Sequence, residues 1–446
     1  MAAAKKNSER RARSAILVIF FLGLFLALLT LEMLFVDESR GEEGLLSRLA
    51  RADLEAVLVR DPGLPDNHTD HWQAVRGARD RFFVFSAFLD DRRGRYVRII
   101  AAARTRLADK VMCQFWYPSG GHSPVAVFAT NRLIRENWNL RYSAYFLLCP
   151  FPSDIWQAPE YVSVIKPGDR STSNKILIHK PRKSFFSGPK GIAVCVKPLH
   201  YNYNKVVNMA EFIELNRILG VNHFFFYNHT IGPQVSCILR WYMDQGLVTL
   251  LPWHLNIASQ REIRTEGLFA ALNDCLYRTM YRYQFVLMID LDEYIIPHRN
   301  DSLPIMLDQL LRKNPSRTGA FSFQNSFFYL QWPDDSASLP YPLVTLAKTR
   351  RKAKFHAHKQ RSKCIVLPER VVEMGNHFVW EFAAGKAMAN VAPDLGFLHH
   401  YRVCEFGGDD CINTSSVTDR RVHHWKSDLL AAVSKTLDPS ITGCLR

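Results

Sequence analysis

The sequence predicts an α/β protein: a mainly parallel sheet flanked by helices, preceded by a β-rich subdomain and an N-terminal transmembrane helix. Three observations predict it. From Gly191 onward, short apolar runs alternate with helically spaced segments, the pattern of βαβ units. One run, Phe285-Val-Leu-Met-Ile289, is apolar throughout, as a strand buried on both faces must be, and it leads into Asp290-Leu-Asp292. At the other end of the chain, no charge falls between Ser14 and Leu31, and five basic residues precede that stretch.

Taken in order, residues 1–14 read as a cytosolic tail and 15–36 as a transmembrane signal anchor. The uncharged run is at the short end of what spans a bilayer, which suits the thinner membranes of the early secretory pathway. No small-residue cleavage site follows it, since Leu31-Glu-Met-Leu-Phe35 comes next. The basic flank keeps the N-terminus cytosolic, so the rest is luminal, as in a single-pass type II protein of the Golgi membrane. Residues 37–75, with Gly41, Pro62, Gly63 and Pro65, read as a stem.

Residues 76–188 form the β-rich subdomain. Runs at 81–88 and 96–100 join across Asp90-Asp91-Arg-Arg-Gly94 as a hairpin. Further strands are expected at 111–117, 124–130, 142–148, 161–165 and 175–179. No chemical constellation stands out there, and a packing role is expected. Residues 189–446 form the catalytic domain. It has strands at 192–197, 223–227, 247–251 and 285–289, and helices at 205–219, 235–245 and 259–282. Gly220 and Gly246 stop the first two helices.

With 446 residues and 48% hydrophobic content, the chain is globular. Its formal charge of +15 favours anionic partners. In a lumen those are phosphorylated small molecules rather than nucleic acid. Asn67, Asn228, Asn300 and Asn413 head N-glycosylation sequons. Nine cysteines without a C-x-x-C pair predict disulfides and at least one unpaired thiol, with Cys404 and Cys411 able to close a short loop.

The chemistry is expected where the buried strand ends. In extended chain Asp290 and Asp292 share a face. Open α/β sheets place ligand chemistry at the C-terminal ends of their strands. Close carboxylates repel unless a cation sits between them, and hard oxygen ligands suit Mg²⁺ or Mn²⁺, which bridges a diphosphate. Between Lys348 and Lys363 lie eight Lys or Arg residues and no acid, either a solvated basic loop or one that meets a departing phosphate. His399 and His400 offer an imidazole to complete a metal shell; which of the two faces the metal depends on strand phase.

Several motifs together resemble glycosyltransferase family 92. They are Leu272-Asn-Asp-Cys-Leu-Tyr-Arg278, Ile289-Asp-Leu-Asp-Glu-Tyr294, Lys363-Cys-Ile-Val-Leu-Pro368, Gly375-Asn-His377 and His399-His-Tyr-Arg402. The resemblance implies a GT-A fold and an inverting transfer of galactose from UDP-galactose, with Mn²⁺ as cofactor, to the 4-OH of a terminal β-galactoside on glycoprotein glycans. It implies Asp290 near the ribose and metal, Asp292 on the metal, and His399 or His400 as a further metal ligand. Asp290, Lys197, Asp274 and Lys363 are the candidate donor-binding residues. Inversion needs a carboxylate base, for which Glu381, Asp335 and Glu369 are candidates, Glu381 first because aromatic residues flank it. Rival readings are a catalytically silent luminal glycan-binding protein, a transferase of another sugar, and another Mg²⁺/Mn²⁺ enzyme on a parallel sheet.

Overall fold

The structure, a computed structural model, describes residues 70–444 apart from 93, 119–123, 151–156, 170, 181–190, 337–341 and 406–407. The expected tail, the anchor at 15–36, most of the stem and Asn67 lie outside the described residues. Among the described residues, no helix is long and apolar enough to cross a membrane.

Four strands lie parallel and side by side in the order Val248–Pro252, His223–Asn228, Ile192–Cys195, Phe285–Met288. Their β-branched and aromatic runs fit a pleated surface covered on both faces. Lys363–Val366 continues the sheet antiparallel to Phe285–Met288. Thr318–Phe323 and Ala387–Asn390 complete its seven strands. Along the central strand the side chains alternate. Phe285 and Leu287 enter a core shared with helices Val206–Ile218, Pro233–Asp244, Leu303–Lys313 and Lys426–Leu437. Val286 and Met288 enter the core on the opposite face.

That opposite core is shared with a second sheet, of nine strands between Gln73 and His179. Phe85, Ile100 and Phe146 from the second sheet meet Ala193, Phe225 and Met288 from the first. Helix Leu268–Thr279 lies between them, and every one of its residues is buried. Cys195–Cys275 links it to the parallel sheet. Asn273 links it to strand Val371–Met374, donating to the Met374 carbonyl at 2.9 Å and accepting from the Met374 N–H at 2.8 Å.

This helix is shorter than the expected 259–282. Thr265, Glu266 and Gly267 take φ of +40°, +53° and +79°. Three successive left-handed residues cannot belong to a right-handed helix, so the helix starts after them. The strand expected to run into Asp290 likewise ends at Met288, and Asp290 to Asp292 form the turn that follows.

Further disulfides join Cys113–Cys149, Cys237–Cys444 and Cys404–Cys411, and Cys364 is a buried free thiol. Asn413 is exposed, while Asn228 and Asn300 are half-buried.

Candidate active site

After the turn at 290–292 the chain leaves the seven-stranded sheet. It returns as Glu293–Pro297, antiparallel to Gly396–Arg402, which runs parallel to Asn325–Tyr329. The register sets Glu293 opposite His400 and Tyr294 opposite His399. Because successive strand residues face opposite ways, only one of the two histidines can join the acids. It is His400. Its Nε2 stands 3.3 Å from Asp292 Oδ2, and its Nδ1 stands 3.3 Å from Glu293 Oε1, without the alignment of a hydrogen bond.

His399 does not join Asp292. Fully buried, it turns to the other face, where its Nε2 lies 3.3 Å from His298 Nε2 and close to Asp419. The charge of Asp419 is answered by Arg351, whose Nε donates to it at 3.1 Å.

Asp290 is held by two cations. Its Oδ2 lies 3.1 Å from Lys197 Nζ and 3.3 Å from Lys363 Nζ. Lys363, itself buried, also reaches Glu293 Oε2 at 3.3 Å and Asn376 Oδ1 at 3.1 Å. Burial opposes the charge on Asp290, but the two lysines outweigh it and hold the carboxyl well below its usual range. Burial likewise opposes ionisation of Asp292, and the His400 contact brings its pKa down overall. Glu293 has no such surplus, and burial raises it. Removing a partner from so buried a charge cluster is costly, so the lysines and acids are interdependent.

The arrangement opens into a cavity of about 820 Å³ at the C-terminal ends of the Ile192–Cys195 and Phe285–Met288 strands. Lys197, Asp290, Asp292, His400, Arg402 and Glu405 line it, together with residues 198–205 and Gln260, Arg264 and Thr265. The Asp292 side chain is 47% exposed and Asp290 14%, so Asp292 is the acid presented to the cavity. The residues fit a divalent ion: ligands about 2.1 Å from an octahedral centre and at right angles lie roughly 3 Å apart. Asp292 Oδ2 and His400 Nε2 are near that separation, and carboxylate with imidazole suits Mn²⁺.

Four expected site residues lie elsewhere. Asp274 is a buried residue of helix Leu268–Thr279 and accepts from Ser86, Tyr227 and Arg278 at 2.5, 2.6 and 2.9 Å. Its carboxylate neutralises a buried guanidinium. Glu381 pairs with Arg132 and, at 2.7 Å, with Arg135, both from the nine-stranded sheet or the turn after it. Asp335 is buried against Thr349 at 2.9 Å and Arg420 at 2.5 Å. Glu369 sits in the turn Pro368–Arg370 beneath Arg92, which donates to its carbonyl. None of the four lines the cavity. Of the basic stretch, Lys363 reaches Asp290, whereas Lys348 pairs with Asp334 and Arg351 with Asp419. Glu405 was missed, because nothing in its spacing distinguishes it; it lines the cavity and pairs with Arg402 three residues before it.

The family model described as Glycosyltransferase family 92 matches residues 190–436, more than half of the chain. The chain belongs to glycosyltransferase family 92. It is a glycosyltransferase, and the cavity below the Asp290–Asp292 turn is its candidate active site. Among curated proteins it is similar to the β-1,4-galactosyltransferase galt-1 of Caenorhabditis elegans, with 24% identity over 339 residues, 73% of this chain and 75% of that protein. It is also 24% identical over 228 residues to another family 92 protein of that organism, covering 49% of this chain and 43% of the relative. Among solved structures, glucosyl-3-phosphoglycerate synthase from Mycobacterium tuberculosis, in complex with Mn²⁺, UDP and glucosyl-3-phosphoglycerate, has a TM-score of 0.23. Identity is 12%, over 58% of this chain and 81% of that one. The bifunctional glycosyltransferase WbbM has a TM-score of 0.19 and 11% identity, over 35% of this chain and 27% of that one.

Proposed function

We propose that this family 92 enzyme is an inverting galactosyltransferase of the GT-A type. It moves galactose from UDP-galactose to the 4-OH of a terminal β-galactoside on glycoprotein glycans, with a divalent ion, Mn²⁺ by preference. The observation that carries the reading is the pairing of half-exposed Asp292 with His400 beside the lysine-held Asp290, at the strand ends that floor the cavity. Family membership and the name of the nematode relative support the galactosyl donor. The uncharged run at 14–31 and the disulfides support a type II protein of the Golgi membrane with its catalytic domain in the lumen.

Asp292 and His400 would hold the ion, which when bound supplies charge neutralisation for a leaving diphosphate. Lys197, at the cavity wall, adds a cation on the same side. The acceptor oxygen attacks the anomeric carbon from the face opposite the diphosphate. The new C–O bond forms as the bond to phosphate breaks, and UDP leaves with that electron pair. The acceptor proton needs a carboxylate. Among the described residues, the carboxylates lining the cavity are Asp290, Asp292 and Glu405. Asp290 is buried between two lysines and Asp292 would hold the ion with His400, so we assign the proton to Glu405, which is half-exposed in the cavity lining and paired with Arg402.

The test is a donor screen with purified protein, Mn²⁺ and a β-galactoside acceptor, reading UDP release and product linkage. A β-1,4-linked galactose product supports the reading. Transfer from a different nucleotide-sugar, with UDP-galactose inert, sinks the donor assignment.

A further inference from the structure

Two loops that line the cavity carry strained backbone. Tyr201, Asn202, Gln260 and Thr265 all line the cavity, and all are non-glycine residues with positive φ: +57°, +51°, +58° and +40°. Such conformations are costly, most of all for β-branched Thr265, and they persist only where surrounding contacts impose them. Those contacts are present. Leu199 and Tyr203 bridge to Asn228 and Ile231 on either side of Tyr201, and the Asn202 N–H donates to Thr230 Oγ1 at 3.1 Å. In the second loop, Gln260 donates to Thr265 Oγ1 at 3.2 Å and accepts from Arg264 at 2.8 Å.

The nine-stranded sheet braces this second loop. The Tyr142 N–H donates to the Glu262 carbonyl at 2.8 Å. Trp138, in the turn before Tyr142, holds the Arg264 guanidinium 4.1 Å from its ring centre. Arg264 in turn lines the cavity. In the first loop, Tyr201 is 77% exposed and lines the cavity, where burial gives an aromatic ring no reason to be.

We propose that these two loops form the acceptor subsite for a pyranoside-terminated glycan. The proposal rests on the glycosyl-transfer reading above and deepens it. The Tyr201 ring stacks on the face of the terminal sugar that carries only C–H groups, while Gln260 and Arg264 hydrogen-bond its hydroxyls. A β-galactoside suits such a ring, because its axial 4-OH leaves one face apolar. The left-handed backbone fixes the ring and the amide before the acceptor arrives, so little ordering is left to be done on binding.

The experiment is steady-state kinetics of the full chain with a β-galactoside-terminated oligosaccharide, comparing Tyr201→Ala, Tyr201→Phe and Gln260→Ala with wild type. Tyr201→Ala should raise the acceptor KM by about tenfold and leave the donor KM within about twofold, the size of a lost stacking contact. Tyr201→Phe keeps the ring and should restore the wild-type KM, which a purely structural role for the hydroxyl would not allow. An acceptor KM for Tyr201→Ala within about twofold of wild type overturns the subsite while leaving galactosyl transfer standing. An enzyme that ignores β-galactosides, yet loses affinity for another pyranoside on Tyr201→Ala, overturns the proposed acceptor and supports the subsite.

Discussion

His400 Nε2 faces Asp292 Oδ2 at 3.3 Å, whereas its sequence neighbour His399 faces His298 across the other side of the same strand. The two imidazoles are adjacent in the chain, but they belong to different chemistry. Substitution separates them. His400→Ala and Asp292→Asn should each weaken Mn²⁺ activation by roughly 100-fold or more, since even groups that only hydrogen-bond a metal's ligands account for about 10- to 100-fold. His399→Gln should instead lower the melting temperature, with Mn²⁺ activation intact. Chelation with EDTA followed by a Mn²⁺ titration of each variant reads the difference.

Lys363 is a second point of leverage. It is 3.3 Å from both Asp290 and Glu293, and it is buried. Lys363→Met leaves two buried carboxylates short of a cation, which should cost about 3–5 kcal/mol of stability. Urea denaturation midpoints measure this. A midpoint equal to wild type would mean that the acids are not held as the geometry indicates.

Glu405 carries the proton in the mechanism proposed here. Glu405→Gln keeps the side chain's size and its contact with Arg402 but removes the base. It should lower kcat by roughly 100- to 10,000-fold, the usual range for general-base catalysis, while donor KM changes little. Rapid-mix assays at saturating donor and acceptor test this. The same measurement on Glu381→Gln, whose carboxylate is spent on Arg132 and Arg135, should show a loss of stability rather than of kcat at saturation.

The pH dependence of stability follows from His377. Its Nδ1 approaches the Ser362 carbonyl at 3.2 Å and its Nε2 the Asn376 amide at 3.2 Å, an arrangement that suits a neutral ring. Burial, with Lys363 nearby, lowers its pKa from 6.5 to about 4. Between those values the unfolded chain binds a proton that the folded chain refuses. The contribution is therefore present above pH 6.5 and is lost as pH falls toward about 4, up to roughly 3 kcal/mol in all. His377→Gln should flatten this part of the stability curve, as thermal melts across that range would show.

Much of the fold was legible because it is written in short-range pattern. The apolar run at Phe285–Met288, the helical spacing of Val206–Ile218 and the hairpin around Asp90 each declare themselves within a dozen residues. The helix expected from Ser259 was misjudged at its start, because apolar spacing says nothing of the contacts that force Thr265 and Glu266 into left-handed backbone. The cysteine count predicted bridges and a spare thiol, but not that Cys195 would pair with Cys275 between the parallel sheet and the buried helix Leu268–Thr279.

The site divides the same way. By itself the sequence determined that two acids would stand at the end of a buried strand, because hydrophobic run and acidic pair are contiguous in the chain. Only the tertiary structure decided which groups surround them. The pairing of Glu293 with His400 depends on a register between strands about a hundred residues apart, and a slip of one residue would present His399 instead. Asp274 fell to a buried arginine, and Glu381 to the arginines of another sheet. The Glu381 choice was made by charge neutralisation between distant segments, which no local spacing records, whereas Asp274 and Arg278 are four residues apart on one helix and only their burial was hidden from the sequence.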